Sequence, residues 1–140
     1  MTDVAELLPL IRKNISVNFL GRRTPTNLGS NIVVRELNWL TLQSTTPSFR
    51  SRFLDEDAGP IDLVLVVDCI YHPSLLPALV ETIDFLAVPG RTAVLVVVEL
   101  RADDVVREFL NLWLNRGNWE VRRVGGLLKI TYTMWVGWKT

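Results

Sequence analysis

The sequence predicts an α/β domain: a mostly parallel sheet that ends in a C-terminal antiparallel hairpin. Three observations predict it. Two continuous apolar runs, "LVLVV" at 63–67 and "TAVLVVV" at 92–98, have the composition of strands covered on both faces. Each is followed by a stretch with helical periodicity, giving strand, helix, strand, helix in succession. The tail "NWEVRRV", then "GG", then "LLKITYTMWVGW" is two strand-like segments around a turn.

The opening "MTDVAELLPLIRKNISVNFLG" has apolar residues at 4, 8, 11 and 15, one helical face. Asp3 followed by Glu6 has the form of a capping box, which starts the helix almost at the first residue. Pro9 falls in its second turn, where it bends the chain. Gly21 to Ser30 is turn-like, and "NIVVREL" from Asn31 to Leu37 is a short strand with β-branched residues at its centre. Residues 40–60 carry Thr, Ser, Pro47 and a closing "GP", a long surface connection with room for one helical turn.

"IDLVLVVD" then gives the first buried strand. Helical spacing follows at 75, 76, 79, 80, 83 and 86, with Ser74 as its cap and Pro77 in the first turn. After "PG" comes the second buried strand. "ADDVVREFLNLWLNRG" is helical again, with Asp103 and Asp104 favourably placed in the first turn and Gly117 as the stop. Helices are expected on both faces of the sheet, with Trp113 as packing.

The 140 residues suit one domain. Fifteen basic residues balance fifteen acidic ones, so bulk charge offers no case for nucleic acid or an anionic membrane. One Cys and one His cannot form a zinc cluster, and no metal is expected. The apolar runs are too short to cross a bilayer, and the acidic start differs from a secretory signal. The expectation is a soluble protein of the cytoplasm, with the nucleus as a second location.

In open α/β sheets ligands bind at the carboxyl ends of strands. The first buried strand stops there at Asp68, Cys69, Ile70 and Tyr71. Asp68 could face a ligand or cap the next loop; Tyr71 could wall a channel or seal the helix start. Cys69 reads as a small buried hydrophobe and His72 as a loop residue. Arg91 and Arg101 read as surface charges.

Those four residues resemble the D-x-x-Y motif of the seven-β-strand, S-adenosylmethionine-dependent protein-lysine methyltransferases. The similar branch holds the methyltransferase-like 21 group and the fungal ribosomal lysine methyltransferases. "TDVAELLPLIRKN" is similar to the segment that leaves the family's second strand at Asp3. "VVRELNW" is similar to its third strand and the tryptophan after it, here Trp39.

The resemblance implies a Rossmann-like class I methyltransferase fold with strand order 3-2-1-4-5-7-6. Strand 1, its glycine-rich loop and most of strand 2 would fall before Asp3. Residues 1–140 are therefore expected to form a single, incomplete methyltransferase domain of strands 3 to 7, for which an upstream segment is required.

The implied cofactor is S-adenosylmethionine. The implied contacts are Asp3 to the ribose hydroxyls, Trp39 beside the adenine, with Glu36 and Asn38 as weaker candidates, and Asp68 at the methionine end. The implied catalytic residues are Asp68 and Tyr71. The expected activity is methyl transfer to a lysine of a protein substrate, with ribosomal proteins or an AAA chaperone as partners. The alternatives are a non-catalytic remnant acting as a protein-interaction module and a methyltransferase for RNA or a small molecule, because a fold does not select its acceptor.

Overall fold

Val64 and Val66 point to one side of their strand and Leu63, Leu65 and Val67 to the other, by the two-residue period. Only the first side is covered. In the computed structural model, which describes residues 1–20, 32–54, 59–127 and 131–140, Val66 is buried while Leu63, Leu65 and Val67 are exposed. That asymmetry organises the molecule.

The elements in chain order are β1 (Thr2–Asp3), α1 (Leu8–Ile15), β2 (Arg35–Glu36), α2 (Trp39–Ser44), β3 (Leu63–Val67) and α3 (Leu76–Leu86). They continue with β4 (Ala93–Glu99), α4 (Asp103–Leu114), β5 (Trp119–Val124) and β6 (Tyr132–Lys139). The strands form two sheets: β1 with β2, and β3-β4-β6-β5. β1–β2 and β3–β4 are parallel, while β4–β6 and β5–β6 are antiparallel. The sheet is thus mixed, and it reproduces the order 3-2 and 4-5-7-6 that the resemblance implies, in two pieces.

The core lies on one face. Val94, Val96 and Val98 of β4 alternate inward with Trp135 of β6 and meet Leu79, Val80 and Ile83 of α3 and Phe109 and Trp113 of α4. Burying such side chains contributes about 1.5–3 kcal/mol each. α3 packs on both α2 and α4. Glu81 of α3 fastens this layer by accepting from Arg50 and from Arg116, each at 2.5 Å. Register places Leu63, Leu65 and Val67 beside Ala93, Leu95 and Val97, and these beside Val136 and Met134, on the opposite face.

Several expectations are corrected. The buried strand "LVLVV" is covered on one face only, and the four-stranded sheet does not have helices packed on both faces among the described residues. Asp3 belongs to β1 instead of capping a helix: its Oδ1 accepts from the Val4 N–H at 2.8 Å, and α1 begins only at Leu8 after a 3₁₀ turn. Pro9 falls in the first turn of α1, where no N–H is missed. Among the described residues of "NIVVREL", 32–37, only Arg35–Glu36 is strand, because β1 offers it just two partners, Thr2 and Asp3.

Residues 40–60 are more helical than expected, with α2 and a 3₁₀ segment at Pro47–Phe53. Asn38 caps α2 by accepting from the Leu40 and Thr41 N–H groups. Ser74 caps nothing; its hydroxyl pairs with His72 Nδ1 at 2.8 Å, and Leu75 precedes α3 without a side-chain cap. The turn expected over Gly21–Ser30 lies outside the described residues.

Candidate active site

β1 ends at Asp3 and β3 is followed directly by Asp68, and both strand ends open on one cavity. Its volume is about 400 Å³, within the range of small-ligand sites. Asp3, Trp39, Asp68 and Tyr71 all line it, with Leu37, Leu79 and Ile83 as apolar wall. The fold thus brings together the four site residues singled out in the sequence. Glu36 and Asn38 do not line it: Glu36 is exposed on β2 and Asn38 is spent on the α2 cap.

Each side chain is positioned by its element. Asp68 follows the last residue of β3, and its N–H donates to the Val97 carbonyl of β4 at 2.8 Å. Its φ is 52°, the only non-glycine residue among those described with a left-handed backbone. Asp and Asn tolerate that conformation because a short polar side chain bonds locally; for most others it costs about 1–2 kcal/mol. The turn swings the chain off the sheet, leaving the carboxylate at the strand end, half exposed.

Tyr71 lies beyond the turn and is 65% exposed, so it forms an outer wall rather than a buried one. Trp39 opens α2 directly behind the Asn38 cap and rests against the hydrophobic core.

Cys69 sits between the two acids. Burial pushes its thiol up, and the nearby Asp3 and Asp68 carboxylates add to that direction. A thiol held protonated is inert packing, in keeping with the sequence reading. His72 is outside the cavity lining. Among the described residues no group of three or more His, Cys, Asp or Glu side chains could hold a metal ion.

Arg101, read in the sequence as a surface charge, is indeed exposed, but it also meets Asp68. Its guanidinium lies 3.5 Å from Asp68 Oδ2 and donates through Nε to Glu99 at 2.7 Å. The signal was present in the chain: Arg101 stands two residues past β4, and β4 is the parallel neighbour of β3, so both ends share one edge. Arg91, by contrast, pairs with Asp62 near the other end of β3.

Chemically, the cavity offers an apolar slot, an indole and two carboxylates on its rim. That set suits a nucleoside-type ligand carrying positive charge: an acid for ribose hydroxyls, an aromatic face for a base and negative charge for a sulfonium or ammonium group. S-adenosylmethionine has all three features and fits these residues. A G-x-G-x-x-G turn for close backbone approach is not found in the sequence.

The profile of a family described as lysine methyltransferase matches residues 1–115. Among solved structures, a candidate rRNA methylase from Clostridium thermocellum matches with a TM-score of 0.55 at 13% identity. The alignment covers 99% of this chain and 73% of that one. This likeness is one of fold. No curated protein matches the sequence. No helix among the described residues is long and apolar enough to cross a membrane.

Proposed function

Because the chain belongs to the lysine methyltransferase family, whose profile spans most of its length, we propose that its cavity serves S-adenosylmethionine-dependent methyl transfer to a lysine side chain of a protein. The observation that carries this reading is the meeting of Asp3, Trp39, Asp68 and Tyr71 at one cavity on the carboxyl ends of β1 and β3.

When bound, S-adenosylmethionine supplies an electrophilic methyl group. The chain's own residues have the remaining tasks. Asp3 accepts from ribose hydroxyls and Trp39 flanks the adenine. Asp68 accepts a hydrogen bond from the incoming neutral amine and so aims its lone pair, an orientation effect rather than covalent catalysis. The Tyr71 ring walls the amine's approach, and the apolar residues around it exclude water. Ribosomal proteins or an AAA chaperone are the substrates to test first, with the cytoplasm, then the nucleus, as the compartments.

A second reading, a protein-interaction module, is favoured by the exposed edge and face of β3. An RNA acceptor is a third, prompted by the name of the fold neighbour and disfavoured by the chain's zero net charge.

The test is tritium transfer from methyl-labelled S-adenosylmethionine to ribosomal proteins, an AAA chaperone and ribosomal RNA, with hydrolysis to identify methyl-lysine. Label in methyl-lysine is expected. Label in RNA alone would move the acceptor class, and a chain that binds cofactor yet labels nothing would favour the interaction module.

A further inference from the structure

We infer that the edge at the carboxyl ends of the parallel strands docks a basic polypeptide segment, in which lysines or arginines flank the lysine that enters the cavity. The inference rests on the methyl-transfer reading for where the acceptor arrives, and it goes beyond that reading by naming the acceptor's chemistry.

The fold segregates charge that the sequence balances. From the last residue of each parallel strand to the fifth beyond it, β1 contributes Asp3 and Glu6, and β2 contributes Glu36. β3 contributes Asp68, and β4 contributes Glu99, Asp103 and Asp104. The one cation in those windows is Arg101. Asp3 and Asp68 line the same cavity, so the windows belong to a single edge. Near the opposite end of β3 the signs cancel, with Arg91 paired to Asp62. Fifteen basic and fifteen acidic residues leave the whole chain neutral, so topology makes this excess.

Most of the excess is uncompensated. Away from this edge Asp62, Glu81, Asp84 and Glu120 each meet a cation. On it, Asp68 and Glu99 share Arg101. Glu6, Glu36, Asp103 and Asp104 are exposed and have no ion pair among the described residues. The dipole of α4 favours Asp103 and Asp104 in its first turn. That contact uses backbone at the helix end and leaves both carboxylates open to a partner.

Exposed rings stand among these acids. Tyr71 is 65% and Tyr132 41% exposed, and Tyr132 lies opposite Glu99 in the β4–β6 ladder. The face of such a ring attracts an ammonium or a guanidinium. An acceptor lysine that reaches Asp68 and Tyr71 must carry its neighbours across this edge. A field of one sign raises the encounter rate of oppositely charged chains and rejects like charge. Flanking lysines or arginines therefore meet complementary charge, whereas flanking acids or a phosphate backbone meet repulsion.

The test follows the binding of fluorescein-labelled peptides to the 140-residue chain by anisotropy. Each peptide has a central lysine flanked by arginines, by serines or by glutamates. At low salt the arginine-flanked peptide should bind about tenfold more tightly than the serine-flanked one, and the glutamate-flanked one most weakly. Added salt should shrink the difference, because exposed charges are screened. Asp103→Asn combined with Asp104→Asn should weaken the arginine-flanked peptide about threefold and leave the serine-flanked peptide unchanged. Asp62→Asn combined with Glu120→Gln alters net charge equally, away from this edge, and should change neither. Equal affinities across the three peptides, or equal losses from the two paired variants, would overturn the inference. So would an RNA oligonucleotide that binds as tightly as the arginine-flanked peptide. Methyl-labelled S-adenosylmethionine added to the same mixtures separates this inference from the methyl-transfer reading. A preference for the basic peptide with no label in its lysine counts against methyl transfer alone. Label that ignores the flanking residues counts against the inference alone.

Discussion

Arg101 ties the ends of two parallel strands: its guanidinium lies 3.5 Å from Asp68 Oδ2 while it holds Glu99. The pair is solvent-accessible, with the Arg101 side chain 67% and the Asp68 side chain 50% exposed. Water screens such pairs, so the contact adds little to stability. What the contact fixes is the direction of a carboxylate at the cavity rim.

Arg101→Met keeps the aliphatic stem and removes the charge. The expected outcome is a melting temperature lowered by no more than a few degrees, with methyl transfer reduced and cofactor affinity unchanged in calorimetric titration. Loss of cofactor affinity instead would assign Arg101 to the binding of S-adenosylmethionine.

Glu81 gives a pH dependence with a definite sign. Hydrogen bonds from Arg50 lower its carboxyl first, and Arg116 acts the same way. A folded pKa below the unfolded one contributes stability that is complete above the unfolded value, about 4.3 for Glu, and is lost as pH falls through the folded value. Urea midpoints should therefore fall below pH ~4.3, and Glu81→Gln should flatten that part of the curve. At neutral pH the substitution should cost about 1.5–3 kcal/mol, the range for hydrogen bonds to a charged group. An unchanged acid limb in the variant would show that the link through Glu81 between the Pro47–Phe53 segment and the turn after α4 does not stabilise the fold.

Gly137 is required by contact, not by backbone angle. A Cβ there would stand 2.5 Å from Trp113 Cζ2 and 2.8 Å from its Cη2, and Trp113 is fully buried. The indole has no free side to move to, with the Phe109 ring tilted against it and the Trp119 ring edge-on, at 5.5 and 5.3 Å between centroids. Gly137→Ala should cost about 1–3 kcal/mol by overpacking, read as a lower urea midpoint at unchanged slope. A neutral result would mean that β6 can slide away from α4.

The strands and helices around the core were legible because their patterns are local. "TAVLVVV" declares β4, and the spacing of Val105, Val106, Phe109 and Trp113 declares the inner face of α4. What the chain does not print is which face of β3 finds a partner: Leu63, Leu65 and Val67 are as apolar as residues covered on both faces. The capping box at Asp3 and Glu6 failed for a related reason. Pairing of Thr2 and Asp3 with Arg35 and Glu36, more than thirty residues away, outweighs a local cap. The site was half legible. Asp68 was visible as an acid closing an apolar strand, whereas Arg101 required knowing that β3 and β4 are neighbours.

Asp68 has two reasons to be aspartate, and substitutions separate them. One is conformational: φ of 52° favours Gly, Asn or Asp. The other is chemical, a carboxylate at the cavity rim. Asp68→Asn keeps size and tolerance of the left-handed turn, so stability should change little. Asp68→Gly should hold or raise stability, since glycine adopts this backbone without strain. Asp68→Ala should lose about 1 kcal/mol, because its Cβ meets the strain with no polar group to offset it. If the carboxylate aims the amine, all three should lower methyl transfer by about 10²–10³, the range for a polar group lost at a reacting centre, with S-adenosylmethionine affinity nearly unchanged. Cys69→Ser should do far less, because its thiol is packing. Thermal melts and single-turnover tritium transfer measured on the same preparations decide between the reasons. Rates that follow stability, with Ala lowest and Gly intact, would make Asp68 a turn residue that holds the loop to Tyr71.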